Sequence, residues 1–329
     1  MSFANRIPDP ETEHKKHHIV PVCYLRNFSV DEVSWVYNKK AGKPYQKNIN
    51  DIFFIPHFYN INDKYIPDIA KAIMHPLSIE YDYFAQEIES QFDSFYTIFL
   101  PFVEKLINDN QYREALPLLP EDYVEAISFQ IAVQYLRTPE ARLNVMKFMV
   151  AFKASLKYCI NNNIPIEDFS EAEITEFLNS EYGTVLNHFL VCFNPKFLKS
   201  IVDKLRKKIW SVYIITTKDE HYYTSDSPVI LERKEPSKHN FWDIDEDGLI
   251  ISYPVTEKVL VRLWDRDYYK DFIPFDRMFR YIDNNLKDSI KVENSYMYCW
   301  GKEIVSSSDD IKELEIIRKK LGEEKYYRH

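Results

Sequence analysis

The chain has 329 residues, a formal net charge of −9, and a composition that is 45% hydrophobic and 16% aromatic. This length supplies enough apolar side chains for a large core, and it fits one to three domains. The five glycines are far apart, whereas a loop that cradles phosphates needs clustered glycines, so P-loop and dinucleotide-fingerprint mechanisms are close to excluded and no nucleotide cofactor is expected.

Cysteine usage and hydropathy indicate the compartment. The four cysteines are widely scattered, and no Cys-x-x-Cys pair is present, which argues against a zinc ribbon or finger and favours a reducing compartment. The N-terminus lacks the apolar stretch of a signal peptide, and no run approaches the roughly 20 apolar residues that span a bilayer. We therefore expect a soluble, cytoplasmic protein that does not enter a membrane.

The first region, residues 1–60, is predicted to be a β-rich unit. A turn-like stretch at 39–44 lies between Trp35–Tyr37 and Tyr45–Lys47, which predicts a hairpin. Residues 52–59 are aromatic but contain Pro56, which is typical of an edge strand or a short packing segment. Lysine and arginine are concentrated between Lys15 and Lys47. The plainer interpretation of such a run is a solvated surface, and the alternative is a local basic groove.

The second region, residues 61–208, is predicted to be a helical bundle. Apolar residues recur at helical spacing from Ile79 through Phe99, and Pro120 and Thr138-Pro139 bound a helix from about 121 to 137. Further helices are expected over residues 140–159, 171–190 and 196–207.

The third region, residues 209–329, is predicted to return to β-structure. Strands are expected at 210–217, 229–232, 249–253, 258–263 and 295–300. A polar loop is expected at 233–248, and helices are expected at 276–287 and, after an N-cap at Ser308, at 309–321. The predicted fold class is α+β: an N-terminal β-rich unit, a central helical bundle and a C-terminal mixed β-sheet with helices form one intertwined domain, in which the β pieces of the two ends share a sheet.

The basic peptide from His14 to Phe28 contains the first candidate site residues. His17 and His18 point to opposite sides of an extended chain, and His18 is the candidate general acid or base, with His17 as a candidate for substrate binding. Arg26 could hold an anion or form a structural salt bridge. Tyr24 could orient an anion, or it could simply pack in the core.

A second segment surrounds the predicted helix break. Gln134 and Arg137 are three residues apart and so share a helix face, and Arg142 follows the break. These side chains could reach a phosphate. Equally, Arg137 could bind the carbonyls at the C-terminus of its own helix.

A third segment contains Ser225 and Asp226 within Thr-Ser-Asp-Ser-Pro. The Asp226 carboxylate could act as a base or a metal ligand, but residues in such turns also commonly bond their own backbone. A divalent metal would need further ligands, for which the best candidates are Glu80, Glu87 and His221. Because no recognisable metal signature is present, the cofactor stays unknown.

These segments carry a resemblance to a known family. The spacing His-x-Val-Pro-x-x-Tyr-Leu-Arg-x-Phe, from His18 to Phe28, resembles the opening motif of the bacterial domain of unknown function 4238. The Arg-Thr-Pro turn at 137–139 and the Ser-Asp-x-Pro-Val strand from Ser225 are similar to the family's middle and late motifs. The resemblance covers about residues 14–300, which is nearly the whole chain.

The resemblance has two departures and several implications. Val22 stands where many relatives carry glutamine, and Ser227 stands where they carry asparagine, so neither position is expected to be catalytic. The family implies a bacterial cytoplasmic protein, sometimes encoded among anti-phage defence genes, with no settled activity.

The residues favour a nuclease-like hydrolase of phosphodiesters, with RNA ahead of DNA because RNA cleavage can use the 2′-hydroxyl without a metal. His18 would transfer the proton, Arg26 and Arg137 would stabilise charge on the phosphoryl oxygens, and Asp226 would orient the histidine or a metal. The alternative is a non-enzymatic sensor or binding protein whose pocket recognises a phage component or a small anionic ligand.

Overall fold

Short strands, a long helical stretch and a second set of strands follow one another in the computed structural model, which describes residues 15–66, 74–116, 118–166, 170–179, 183–232 and 244–316. The fold is α+β, as predicted. Within the described ranges, no helix combines the length and the apolar character that crossing a membrane requires.

A four-stranded antiparallel sheet joins the two ends of the chain. Strands β2 (Val33–Asn38) and β3 (Lys43–Asn48) form the predicted hairpin, whose turn contains Gly42 at a φ of 68°. Strand β11 (Glu303–Ser306) pairs with β2, and β6 (Thr224–Ser225) pairs with the other side of β11. The prediction that β pieces of both ends share a sheet is confirmed for these strands.

The other C-terminal strands form a separate five-stranded sheet. Its members are β5 (Ile209–Ile215), β7 (Ile230–Glu232), β8 (Ile250–Thr256), β9 (Val259–Trp264) and β10 (Met278–Ile282), in the order β10-β5-β9-β8-β7. The β10–β5 pair is parallel, and the other pairs are antiparallel. The expectation of one shared sheet is wrong for these five strands, because in the described part of the chain they pair with one another and not with strands of the four-stranded sheet.

A small two-stranded sheet holds the histidine peptide. Strand β1 (Lys16–His18) pairs with β4 (Phe54–Pro56), which confirms the edge strand predicted around Pro56. A short helix, α1 (Val22–Leu25), follows Pro21. A proline at this position suits a helix start, because the first amide of a helix has no intrahelical acceptor.

The helical region agrees with the sequence at most boundaries. It consists of a π-helix (Ile79–Ile88), α2 (Glu89–Asn108), α3 (Asn110–Ala115), α4 (Glu121–Leu136), α5 (Pro139–Asn161), α6 (Glu171–Asn179), α7 (Thr184–Cys192) and α8 (Pro195–Arg206). Thr138 caps α5 by accepting a hydrogen bond from Ala141 N at 3.1 Å, which explains the sharp break after α4. The single helix predicted at 171–190 is wrong, because α6 and α7 are separate helices and α7 begins after Gly183.

Two predictions near the C-terminus are wrong. The helix expected at 276–287 overlaps β10, whose exposed Met278 and Arg280 alternate with less exposed residues as in a half-buried strand. The strand expected at 295–300 lies within α9 (Lys287–Trp300), whose buried Ile290 and Met297 recur at helical spacing. Strand propensity of the aromatic run 296–300 is overridden by this packing. Residues 233–243 of the predicted loop and 317–321 of the closing helix lie outside the described residues.

The main core lies between the helices and one face of the five-stranded sheet. Trp210, Val212 and Ile214 alternate along β5 and so point to the same side, where Phe92 of α2 and Ile127 of α4 belong to the same cluster of buried residues. This packing fixes α2, which carries Glu89, and α4, which carries Gln134, against the sheet.

Candidate functional site

A buried ion cluster occupies the end of α4. The side chain of Arg137 has no exposed surface, and its guanidinium lies 2.8 Å from a Glu89 oxygen and 3.5 Å from a Glu80 oxygen. The same group is 4.1 Å from the centre of the Phe84 ring. Removing an arginine from water is costly unless carboxylates compensate its charge, so the two glutamates are a condition for burying it. Together they raise the pKa of Arg137, against the opposing effect of burial.

The π-helix explains how both glutamates reach one arginine. Glu80 and Glu89 are nine residues apart, which in an α-helix of 3.6 residues per turn would put them on opposite sides. A π-helix has about 4.4 residues per turn, so nine residues make about two full turns and return to the same side. Such windings are rare and are frequent at functional sites.

His18 lies at the edge of this ion cluster. The imidazole is half-buried, and its Nε2 is 3.3 Å from the carbonyl oxygen of Asn50, which can only accept, so Nε2 carries the hydrogen and Nδ1 is left as an acceptor. Burial lowers the pKa of His18, Glu89 opposes this effect and Arg137 adds to it. The imidazole therefore favours its neutral form near pH 7.

The pKa of Glu80 shifts in the opposite direction to that of His18. Burial raises its pKa from 4.5 to about 7, nearby Arg137 lowers it, and the second carboxylate of Glu89 raises it. The backbone N–H of His18 donates a hydrogen bond to the Glu80 carboxyl group, which holds the two residues side by side. A carboxyl group with a pKa near neutral pH is thus bonded to the backbone of the residue that carries the imidazole.

Arg26 lies on the outer side of the same region. Its guanidinium is 3.3 Å from Asp93, and both side chains are about half exposed, at 52% and 58%. Asp93 follows Glu89 by one turn of α2, so the two carboxylates share a helix face. The structure therefore places His18, Arg26 and Arg137 around the face of α2 that carries Glu89 and Asp93. The Arg26 side chain is accessible, and the Arg137 side chain is enclosed.

The first and third motif segments meet through a buried hydroxyl pair. The Tyr24 hydroxyl donates to the Pro254 carbonyl at 2.8 Å and accepts from Thr224 Oγ1 at 2.8 Å. All three side chains are buried or lie in a buried strand. Residues separated by 200 positions in the sequence are joined here, directly before Ser225 and Asp226.

The second motif segment joins the same network. Gln134 Nε2 donates to the Tyr253 hydroxyl, and the Tyr253 ring stacks on the Tyr24 ring with centroids 5.6 Å apart. The Tyr96 hydroxyl donates to Gln130 Oε1 at 2.8 Å. The three motif segments therefore converge on a buried tyrosine–glutamine network (Tyr24, Tyr96, Gln130, Gln134, Thr224 and Tyr253). The network ties α1, α2, α4 and β8 together.

Cys23 lies between the ion cluster and the tyrosine–glutamine network. Burial raises the pKa of its thiol, and the carboxylates of Glu89 and Asp93 raise it further, while Arg137 lowers it. The pKa values of the Tyr96 and Tyr253 hydroxyls are raised by burial and, to a smaller extent, by the same cysteine. The thiol is therefore protonated at neutral pH, which makes it a poor nucleophile in this arrangement.

Two predicted binding residues have structural contacts. His17 is fully buried, its Nδ1 accepts a hydrogen bond from Tyr59 N at 2.8 Å, and its ring stacks on the Tyr59 ring. Arg142 donates to the Phe58 carbonyl at 2.7 Å and lies over the Phe58 ring, and burial lowers its pKa to about 10. Tyr59 in turn donates to the Arg137 carbonyl at 2.7 Å. His17 and Arg142 therefore hold residues 58 and 59, which contact the backbone of the ion cluster.

Asp226 and Ser225 both accept hydrogen bonds from backbone amides. Asp226 Oδ1 accepts hydrogen bonds from Lys302 N at 2.7 Å and Glu303 N at 3.3 Å, and burial raises the pKa of this carboxyl. Ser225 Oγ accepts from Ser227 N at 3.1 Å. The Ser225 bond agrees with the alternative in which a turn residue bonds its own backbone, whereas the Asp226 bonds reach distant amides and hold β6 against the start of β11.

The described residues contain no group of three or more His, Cys, Asp or Glu side chains arranged to hold a metal ion. The predicted metal candidates are instead dispersed: Glu80 contacts Arg137, Glu87 is exposed, and His221 Nδ1 lies 3.7 Å from Asp310. A divalent cofactor therefore gains no ligand set from these positions.

Sequence reasoning missed Glu89, Tyr253 and Tyr96. Glu80 was expected only as a metal ligand. Two acids nine residues apart lie on opposite faces of an α-helix, so their spacing does not predict that they meet. Only the π-helical winding brings them to the same side. The two tyrosines are among 24 in the chain, and composition offers no way to separate them from the others.

Comparisons with known proteins give one match. The sequence profile described as "Protein of unknown function (DUF4238)" matches residues 16–271, which includes all three motif segments. No curated protein and no solved structure matches the chain.

Proposed function

The chain belongs to the DUF4238 family, and from the geometry around His18 we propose that it is a nuclease-like hydrolase of phosphodiesters that prefers RNA to DNA. One observation supports this most: a carboxyl group with a pKa of about 7 accepts a hydrogen bond from the backbone of the residue that carries the half-buried imidazole, and Arg26 of the same motif is accessible. A general acid, a general base and a cation are the parts that phosphodiester cleavage without a metal needs.

His18 is the proposed general base. Its Nδ1 is the acceptor nitrogen, and its lowered pKa keeps it neutral near pH 7, so it can take a proton from the RNA 2′-hydroxyl. Glu80 is the proposed general acid, because its raised pKa leaves a substantial protonated fraction near pH 7.

The two arginines have different proposed roles. Arg26 is the group that contacts the phosphate, since its ion pair with Asp93 is exposed and such pairs are weak enough to exchange for a ligand. Arg137 is a positioning residue, because its guanidinium is enclosed by Glu80 and Glu89. Asp226 stays outside the proposed chemistry, since its carboxylate is bound by the backbone of 302 and 303.

The proposed reaction is a transphosphorylation. The 2′-oxygen forms a bond to phosphorus as His18 takes the 2′-hydroxyl proton, and the phosphorus–O5′ bond breaks as Glu80 gives its proton to the leaving O5′. The products are a 2′,3′-cyclic phosphate end and a 5′-hydroxyl end. DNA lacks the 2′-hydroxyl, so this route accounts for the preference for RNA.

The proposed biological setting is anti-phage defence in the bacterial cytoplasm. The resemblance to the family supports the defence role, with phage RNA as the substrate or a phage component as the trigger. All four cysteines lie in described ranges and none forms a disulfide, which agrees with a reducing compartment.

The test is a cleavage assay. Purified protein is incubated with labelled single-stranded RNA and with DNA of the same sequence, each with magnesium and with a chelator. We expect RNA cleavage that survives the chelator and leaves 2′,3′-cyclic ends, with DNA intact. His18→Gln should remove at least about 100-fold of the rate, in line with the usual contribution of a general base. Binding of RNA or of a phage protein without any cleavage would overturn the hydrolase and favour the sensor.

A further inference from the structure

The N-terminal region carries positive charge in a negatively charged protein. Residues 15–51 contain seven lysines or arginines and three aspartates or glutamates, a local charge of +4, whereas the whole chain has a net charge of −9. A cationic region on an acidic protein can attract an anionic ligand locally, and the acidic remainder disfavours binding elsewhere.

Three cationic or proton-binding side chains surround one exposed carboxylate beside the proposed site. Asp51 pairs with Lys16, and Lys16, Lys47 and His18 all lower the pKa of Asp51, with the Lys16 hydrogen bond as the largest effect. The side chains of Lys16 and Asp51 are both about half exposed, at 49% and 45%. The carboxylate therefore neutralises only part of the positive charge next to His18.

Further lysines lie along the edge of the four-stranded sheet. Lys43, Tyr45 and Lys47 lie at alternate positions of β3, the outermost strand, and so share one face. Lys43 and Lys47 are four residues apart, which is about 13 Å along a strand, so they would contact different phosphates. Tyr45, half-buried between them, offers part of a ring for stacking against a base.

We infer that the basic row (Lys16, Lys43 and Lys47) binds the sugar-phosphate backbone of a single-stranded nucleic acid and leads it to His18, so that the preferred ligand is a polymer and not a mononucleotide. This inference rests on the proposed function for the identity of its ligand. The helix that precedes Arg26, α1, contacts the turn at 49–51, which follows Lys47, so Arg26 and the row belong to neighbouring parts of the N-terminal region. One strand can then contact the lysines and Arg26 while a phosphodiester lies at the imidazole.

Exposed ion pairs are no obstacle to this binding. A solvent-exposed pair such as Lys16–Asp51 contributes little to folding, so its carboxylate can be exchanged for a phosphate. The gain comes from releasing counterions that condense on a nucleic acid. It makes binding depend on salt, with a slope of about −0.7 per phosphate contact for single strands.

The test measures binding separately from cleavage. The probe is a fluorescein-labelled oligouridine with 2′-O-methyl groups, which cannot undergo the proposed transphosphorylation, and its affinity is measured by fluorescence anisotropy at several salt concentrations. The variant Lys16→Gln/Lys47→Gln should bind at least about tenfold more weakly at low salt and lose about 1.4 from the salt slope. The matched control Lys199→Gln/Lys204→Gln removes two lysines from ion pairs on α8 and should bind like the wild type.

Three results would overturn the inference: a Lys16/Lys47 variant with unchanged affinity and slope, a control that loses as much, or competition by polyglutamate as strong as competition by RNA. The last result would identify an acidic protein as the occupant. A dinucleoside monophosphate is too short to reach Lys43 and Lys47 from His18, so its cleavage by the wild type tests the proposed function separately from the row. Failure of the wild type to cleave this dinucleotide would count against the proposed function and leave the anisotropy result to decide the inference.

Discussion

Glu80 and Glu89 stand nine residues apart and both approach the guanidinium of Arg137, at 3.5 Å and 2.8 Å. Only the π-helical winding of Ile79–Ile88 allows this, because an α-helix would turn one carboxylate away. The compensation of the buried Arg137 charge by two carboxylates, and the part of the raised pKa of Glu80 that is due to Glu89, depend on that winding. The relationship is therefore the structural basis of the proposed site.

The winding can be tested by shortening it. Deleting Gln86, an exposed residue of the π-helix, should turn Glu80 by roughly 80° relative to Glu89 and break the contact with Arg137. We expect the melting temperature to fall and RNA cleavage to be lost. The substitution Gln86→Ala keeps the length and should change stability by less than about 0.5 kcal/mol. A deletion variant that retains both stability and cleavage would refute the dependence on the π-helix.

Arg137→Ala should be severely destabilising. It leaves two carboxylates enclosed without a cation, and breaking a buried pair in this way costs about 3–5 kcal/mol. The loss should be larger at pH 8 than at pH 5, because Glu80 is protonated and uncharged at the lower pH. Urea unfolding measures both values. Arg206→Ala, which removes a partly exposed arginine from Glu121 and Glu125, is the control and should cost at most about 1 kcal/mol.

Glu80→Gln should change how stability depends on pH. Burial raises the pKa of Glu80 from 4.5 to about 7, so the folded protein binds more protons than the unfolded one in that window, and wild-type stability falls as the pH rises through it. Glutamine cannot ionise. From pH 5 to pH 8 the variant should therefore gain on the order of 2–3 kcal/mol relative to the wild type.

The control for this comparison is Glu104→Gln, an exposed glutamate on α2. Its stability difference from the wild type should stay constant between pH 5 and pH 8. If Glu80→Gln behaves in the same way, burial does not raise the pKa of Glu80 in the folded protein.

Tyr24→Phe should weaken the junction of the motif segments. The change removes a hydroxyl that serves both the Pro254 carbonyl and Thr224, and leaving these buried groups unpaired costs about 1–3 kcal/mol. A double-mutant cycle with Thr224→Val should give a coupling energy of about 1 kcal/mol. Tyr158→Phe, at a side chain that is 63% exposed, should be neutral. Additivity in the cycle would show that the two hydroxyls do not interact.

Much of the fold could be read from local patterns. The hairpin at Gly42, the break at Thr138 and the cap at Ser308 each have a local physical cause, namely a positive φ, a proline restriction and a side-chain cap. The exchange of helix and strand near 276–300 was not predictable in this way. There the helix depends on tertiary contacts, such as Asn294 accepting from Tyr223 N at 2.9 Å, which no local window contains.

The candidate site was predictable only in part. The motif residues His18, Arg26 and Arg137 do lie around one face of α2. The sequence did not indicate that Arg137 is enclosed while Arg26 is exposed. Burial depends on which distant helix supplies the carboxylates. Glu89 supplies one of them from 48 positions away, and nothing in its own neighbourhood indicates that role.

The central claim is that His18 and Glu80 exchange protons with RNA, and the pH dependence of single-turnover RNA cleavage tests it most directly. The account predicts a bell-shaped profile whose alkaline limb bends near pH 7, where Glu80 loses its proton. In Glu80→Gln the rate should fall by about 100-fold or more, and that limb should disappear. Absence of cleavage, or an alkaline limb that persists unchanged in the variant, would contradict the account.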